Sequence, residues 1–151
     1  MKWLVSLIAC LSLGACAARE QVPERTTATA TAQVGIVNHT GNFIYSASVD
    51  GSGGAGMSAW GAAVANVCCT SIPRVWYPGM KVLVRWDMPE GHKHISKEKI
   101  VEIEKYDEPG SIYLHFFPND EVRVVVSNIA GFSRSHPIAP PVEPKEKTGG
   151  K

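Results

Sequence analysis

The stretch from Ser111 to Ser127 constrains this chain most. Two runs of alternating character, SIYLHFF and EVRVVVS, meet across Pro118-Asn119-Asp120. Successive side chains of a strand point to opposite faces, so Ile112, Leu114 and Phe116 share one face, as do Val122, Val124 and Val126. Proline with two turn-forming residues between such runs reads as a β-hairpin. The same alternation returns behind Pro78-Gly79, where Val82, Val84 and Trp86 share a face while Lys81 and Arg85 point away. Val34 to His39 and Asn42 to Val49 make a further pair of strands. Lys99 to Tyr106 precedes the hairpin across Pro109-Gly110 and reads as a strand, although Ile100, Ile103 and Glu104 also fit one helical face. These segments give about six strands. The expected fold is all-β, or β-rich with one short helix: a small antiparallel β-sandwich, with a barrel as the alternative.

A chain of 151 residues, 44% apolar and 19% charged, holds one ordinary domain. Lys+Arg 15 against Asp+Glu 14 gives no basic footprint, which argues against a nucleic-acid partner. The ends are compositionally distinct from the middle. Lys2 precedes an apolar run, Trp3 to Leu13, shorter than the roughly 20 residues of a spanning helix and suited to a signal-peptide core. Leu13-Gly14-Ala15-Cys16 then places two small residues before a cysteine, as a lipoprotein signal peptidase requires. Residues 1–15 are therefore expected to be removed, and Cys16 to carry acyl chains worth about 0.8 kcal/mol per buried CH₂. Ala17 after that cysteine favours the periplasmic face of the outer membrane. Up to Ala32 the chain is small, polar and repetitive, so residues 16–32 read as the lipidated cysteine and a flexible tether, with a root-mean-square span of about 22 Å. Residues 33–135 form the β-rich domain. His136 to Lys151, with four prolines and a lysine-rich end, reads as a disordered tail.

Several stretches invite a chemical reading. Gly51-Ser52-Gly53-Gly54-Ala55-Gly56 matches the glycine pattern of dinucleotide-binding folds but lacks the βαβ context, so a mobile or tightly turning loop is expected. Met57 to Val67 follows as a short helix or an irregular lid. Cys68-Cys69 is either a vicinal disulfide or one buried and one exposed thiol, because adjacent α-carbons lie closer than an ordinary bridge prefers. His92, His94 and Glu98 could be drawn as metal ligands, but their charged, turn-rich setting reads as a solvated loop. His39 and His115 read as ordinary surface or hydrogen-bonded residues. No catalytic frame of nucleophile and base is visible, so neither an enzyme nor a cofactor is expected.

Val67-Cys68-Cys69, Pro73-Arg74-Val75-Trp76-Tyr77-Pro78-Gly79 and the strand Val82 to Trp86, following the Gly51 to Gly56 stretch, resemble the bacterial lipoproteins catalogued as domain of unknown function 3304. Leu114-His115-Phe116 and Val124 to Asn128 resemble that family's closing hairpin. The resemblance implies an envelope lipoprotein without established activity, often encoded near type VI secretion components and phospholipase-like toxins. It therefore implies a protein partner, a toxin, and an immunity role. Gly53, Gly54, Gly56, Trp60 and Tyr77 are the candidate partner-binding residues, whereas Trp76 is read as core. Rival readings are a structural or assembly lipoprotein of the envelope or a secretion apparatus, and a thiol-disulfide sensor.

Overall fold

The computed structural model describes residues 28–145. Eight strands follow in order: β1 Thr29–Asn38, β2 Ile44–Val49, β3 Ser52–Met57, β4 Val67–Pro73, β5 Lys81–Asp87, β6 Ser96–Glu102, β7 Ser111–Phe117 and β8 Glu121–Ser127. They form two four-stranded sheets, ordered β4-β1-β7-β8 and β3-β2-β5-β6. The β-sandwich is as expected, with two more strands. All pairings are antiparallel except β1 with β7, which run parallel from Val34↔Ile112 to Asn38↔Phe116.

The alternation dictates what lies between the sheets. Ile112, Leu114, Phe116, Val122, Val124 and Val126 meet Val82, Val84 and Trp86 in one buried cluster, with Trp86 and Phe116 at a ring-centroid distance of 5.5 Å. Each such side chain contributes about 1.5–3 kcal/mol by leaving water. The β7–β8 register runs from Ser111↔Ser127 to Phe117↔Glu121, across a turn in which Asn119 and Asp120 both take positive φ. Asparagine and aspartate tolerate that conformation better than other non-glycine residues.

The two long edges are finished differently. Beyond β6 the chain crosses to the other sheet: Ile103 bridges Val124, and the Glu104 N–H donates to the Val124 carbonyl at 2.9 Å. Lys97, on the inward side of β6, reaches Asp120 at 2.8 Å. Closure and an inward charge both discourage a foreign strand from adding there. At the opposite edge, β3 and β4 approach each other, and among the described residues each has a strand partner on one side only.

Two boundaries differ from those expected. Strand β1 begins at Thr29, inside the stretch read as tether, and Ala32 is buried. In the stretch read as tail, His136 and Ile138 are buried. The first follows from pairing with β4, from Thr29↔Pro73 to Ala32↔Thr70, which puts Ala32 into the core between the sheets; the second follows from a cover on one sheet. The outer face of the β4-β1-β7-β8 sheet is covered by residues 58–66 and 128–138, so Val37, Tyr113, Val125 and Ile138 form a second small cluster with Ala62 and Ala65. Ala62 bridges Val37, the Tyr113 hydroxyl accepts from the Ala65 N–H at 3.2 Å, and the Gly131 N–H donates to the Ala63 carbonyl at 3.2 Å. The segment after Met57 is thus the irregular cover of the two forms considered. Only Pro118–Asp120 is helical among the described residues, as a single 3-10 turn.

Candidate functional site

The glycine-rich stretch is a strand. Asp50 (φ 47°) and Gly51 (φ 80°) form a two-residue turn that sends the chain back along β2. The Asp50 carboxylate also accepts from the Leu83 N–H at 2.8 Å, fixing the turn to β5. Gly53 and Gly54 adopt φ of 115° and 110°, while the β2–β3 register shifts between Ala47 and Ser48. A Cβ on Gly56 would lie 2.7 Å from the Tyr45 carbonyl and 2.8 Å from that of Ile44. The glycines serve a bulged, tightly apposed edge strand: the expected mobile or tightly turning loop is corrected to a strand, while the tight turn at Asp50-Gly51, the positive φ and the close backbone approach are as expected.

Two recesses flank this edge. A cleft of about 200 Å³ is lined by Val34, Ile36, Ala55, Gly56, Met57 and Val64. A polar groove of about 370 Å³ crosses the outer face of the β3-β2-β5-β6 sheet, where Ser46, Ser48, Gly54, Arg85, Asp87 and Glu98 converge. Within it Arg85 pairs with Glu98 at 2.9 Å, and His94 Nδ1 lies 2.7 Å from Asp87 Oδ2. His94 and Glu98 are thus engaged with different partners on this face, and His92 is exposed. Among the described residues no three histidine, cysteine or carboxylate groups are arranged to hold a metal ion.

The other residues singled out in the sequence divide between the ends of the sandwich. Cys68 and Cys69 are paired as a vicinal disulfide in β4, on the same long edge as the glycine strand. Trp60 has φ 55°; its N–H donates to the Thr40 carbonyl at 3.0 Å and its ring lies against Gly41, just beyond the Asn38 end of β1. Tyr77 lies toward the other end of β1, a few residues after Arg74, whose N–H donates to the Ala28 carbonyl at 2.8 Å. Trp60 and Tyr77 therefore do not share one patch. Trp76 packs against the core as expected, and its indole N–H donates to the Ile103 carbonyl at 2.9 Å, at the corner where β6 crosses over. Cys16 lies outside the described residues.

A group whose members the sequence presented separately, two as ordinary surface or hydrogen-bonded histidines and one in the tail, stands out chemically. His39, His115 and His136 form a relay: His39 Nε2 is 3.0 Å from His115 Nδ1, and His115 Nε2 is 3.1 Å from His136 Nε2. His136 Nδ1 is 2.8 Å from the Ile129 carbonyl oxygen. The rings stack, with Phe117 continuing the stack at 4.2 Å from His39. His115 is fully buried, not a surface residue, and burial first, then its two neighbouring histidines and Arg123, hold its pKa down at about 3. Burial likewise lowers His39 and His136. Arg123 is held charged chiefly by its hydrogen bonds to Glu104 at 2.6 and 3.0 Å. Alternation gave the side of β7 on which His115 lies; no local signal gave the cover above it.

No curated protein and no solved structure matches the chain. A family model does match residues 37–124, more than half of the sequence, from the end of β1 into β8. That span contains the glycine strand, the cysteine pair and the Pro73-to-Gly79 corner, and it ends before His136. The chain belongs to the family described as protein of unknown function (DUF3304).

Proposed function

We propose that this protein is a lipid-anchored binding protein of the bacterial envelope, held on the periplasmic face of the outer membrane, that neutralises an incoming lipase-like toxin by covering its active site. The observation that carries the binding role is the β3–β4 edge, where two strands that, among the described residues, each have a strand partner on one side only lie together between a cleft and a polar groove. Unsatisfied strand edges recruit extended segments of partner proteins through main-chain hydrogen bonds. Exposed Phe43 and Tyr45, at the head of β2, add apolar contact area, and Trp60 is a further anchor. The anchor rests on Leu13-Gly14-Ala15-Cys16 and the toxin class on the genomic habit of the family. Tethering would confine the inhibitor to the membrane that its opponent attacks, raising its effective concentration there.

Labelling with a palmitate analogue tests the anchor: wild type is expected to be labelled, and Cys16→Ser unlabelled and recovered in the soluble fraction. Co-expression with a periplasm-directed lipase-like toxin encoded beside this gene tests the inhibition, and failure to rescue growth overturns it. If deletion of the gene abolishes secretion instead of sensitising cells, the assembly reading replaces this one. The vicinal cysteines on the candidate edge favour one further reading, a thiol-disulfide sensor. That reading requires Cys68→Ser to remove activity while folding and anchoring persist.

A further inference from the structure

The histidine relay has a direction set by its end. The Ile129 carbonyl can only accept, so His136 carries its hydrogen on Nδ1. Neutral His136 then offers a bare Nε2, and the hydrogen in the 3.1 Å contact belongs to His115 Nε2. His115 Nδ1 is bare in turn, so His39 Nε2–H fills the 3.0 Å contact. Three neutral rings thus supply three hydrogens for three contacts. The remaining bare nitrogen is His39 Nδ1, on the least buried ring of the three.

This count limits how many protons the relay can take. The first can settle on His39 Nδ1 with every contact intact. A second must place two hydrogens between one pair of nitrogens, which forces that contact apart. The two contacts are not equally held. His115 stands on β7 and His39 directly follows β1, its parallel neighbour, with the His39 N–H donating to the Phe116 carbonyl at 2.7 Å. His136 stands on an irregular segment whose backbone bonds are largely internal, Ser133 to Ala130 and His136 to Ser133, with one bond outward from Gly131 to Ala63. The His115–His136 contact is the weaker joint.

We propose that the relay is an acid-operated latch: it stays closed with one added proton, and a second releases residues 129–138 from the outer face of the sheet, uncovering Tyr113, Val37 and Val125. The charged surroundings favour release. Arg123 of β8 lies opposite His115 and is itself paired with Glu104 and near Glu121. Tyr113 meets His136 edge-on at 4.6 Å, residues 58–66 bring no titratable side chain, and Arg134 is exposed on the releasing segment. No carboxylate among these touches an imidazole of the relay, so nothing there offsets a second charge.

Amide hydrogen exchange on the full chain from about pH 7.5 to about pH 4, corrected for intrinsic rates, reads the latch. The closed relay already holds the first proton on His39, so release takes up only the second, and protection of residues 129–138 is expected to fall about tenfold per pH unit while residues 111–127 keep theirs. In His136→Gln the amide oxygen accepts from His115 Nε2–H and the amide NH₂ donates to the Ile129 carbonyl, so the contacts persist without the nitrogen that takes the releasing proton, and the fall is expected to disappear. Loss of protection by both segments together, or an unchanged fall in His136→Gln, overturns the proposal. Nitrogen-15 spectra of the wild-type imidazoles give an independent reading: Nδ1–H on His136 with Nε2–H on His115 and His39 is expected, and any other tautomer set refutes the relay's direction.

Discussion

A histidine buried without a charge partner ties stability to pH, and His115 makes the sign explicit. Its folded pKa, about 3, lies below the ordinary value of 6.5, so below the latter the unfolded chain binds more protons. Stability contributed by neutral His115 is present above that ordinary value and is lost as pH falls toward the folded pKa. At pH 5 the loss reaches up to about 2 kcal/mol, with release of the latch setting its ceiling. Urea titrations at neutral and mildly acid pH check this, and His115→Gln should flatten the dependence while lowering stability at neutral pH. Residue-scale sterics give a second expectation. Gly56→Ala places a methyl against two carbonyl oxygens of β2, so it should destabilise by about 1–3 kcal/mol in chemical denaturation. The parity of side chains along a strand, which assigns Leu114 inward and His115 outward, was legible at this scale. Whether an outward residue meets water was not, because the covering segments lie far away in sequence and carry no periodicity.

Elements were legible where alternation and turn chemistry agreed. The β7–β8 hairpin and the inward face of β5 follow by parity alone from Ile112, Leu114 and Phe116, and from Val82, Val84 and Trp86. Strand β3 escaped because glycine dilutes both side-chain pattern and strand propensity. Its signal was the Asp50-Gly51 pair after an apolar run, a compact hairpin cue masked by the glycines that follow. Strand β4 escaped for a related reason: VCCTSIP lacks regular alternation, and its burial pattern is as mixed as its sequence. The Pro73-to-Gly79 corner likewise acquires meaning only with its partner, since the Trp76 indole donates to a carbonyl of the crossing segment after β6. Trp76→Phe keeps an aromatic ring, smaller than the indole, but orphans the Ile103 carbonyl, and should cost about 1–3 kcal/mol in thermal or urea unfolding. Equal stability of the variant would show that this corner does not depend on the bond.

At the scale of the whole molecule, the asymmetry between the two long edges and the cover over one sheet decides what is available to a partner. One edge is closed by the Ile103–Val124 bridge and guarded by Lys97, so the proposed association through strands falls to the β3–β4 side. The β3-β2-β5-β6 sheet exposes its polar groove, whereas the other sheet hides an apolar outer face beneath two irregular segments. Truncation separates the covering segment from the chain beyond it. Ending the chain after Ala139 retains His136 and Ile138 and should leave stability and solubility unchanged. Ending it after Asn128 removes both, strips the cover from Tyr113, His115 and Val125, and sacrifices about 2 kcal/mol for Ile138 alone. The shorter protein should bind a dye specific for exposed apolar surface and self-associate in sedimentation, because an uncovered apolar sheet face seeks another surface. If it instead remains monomeric, dye-silent and as stable as the longer truncation, residues 129–138 do not form part of the folded unit.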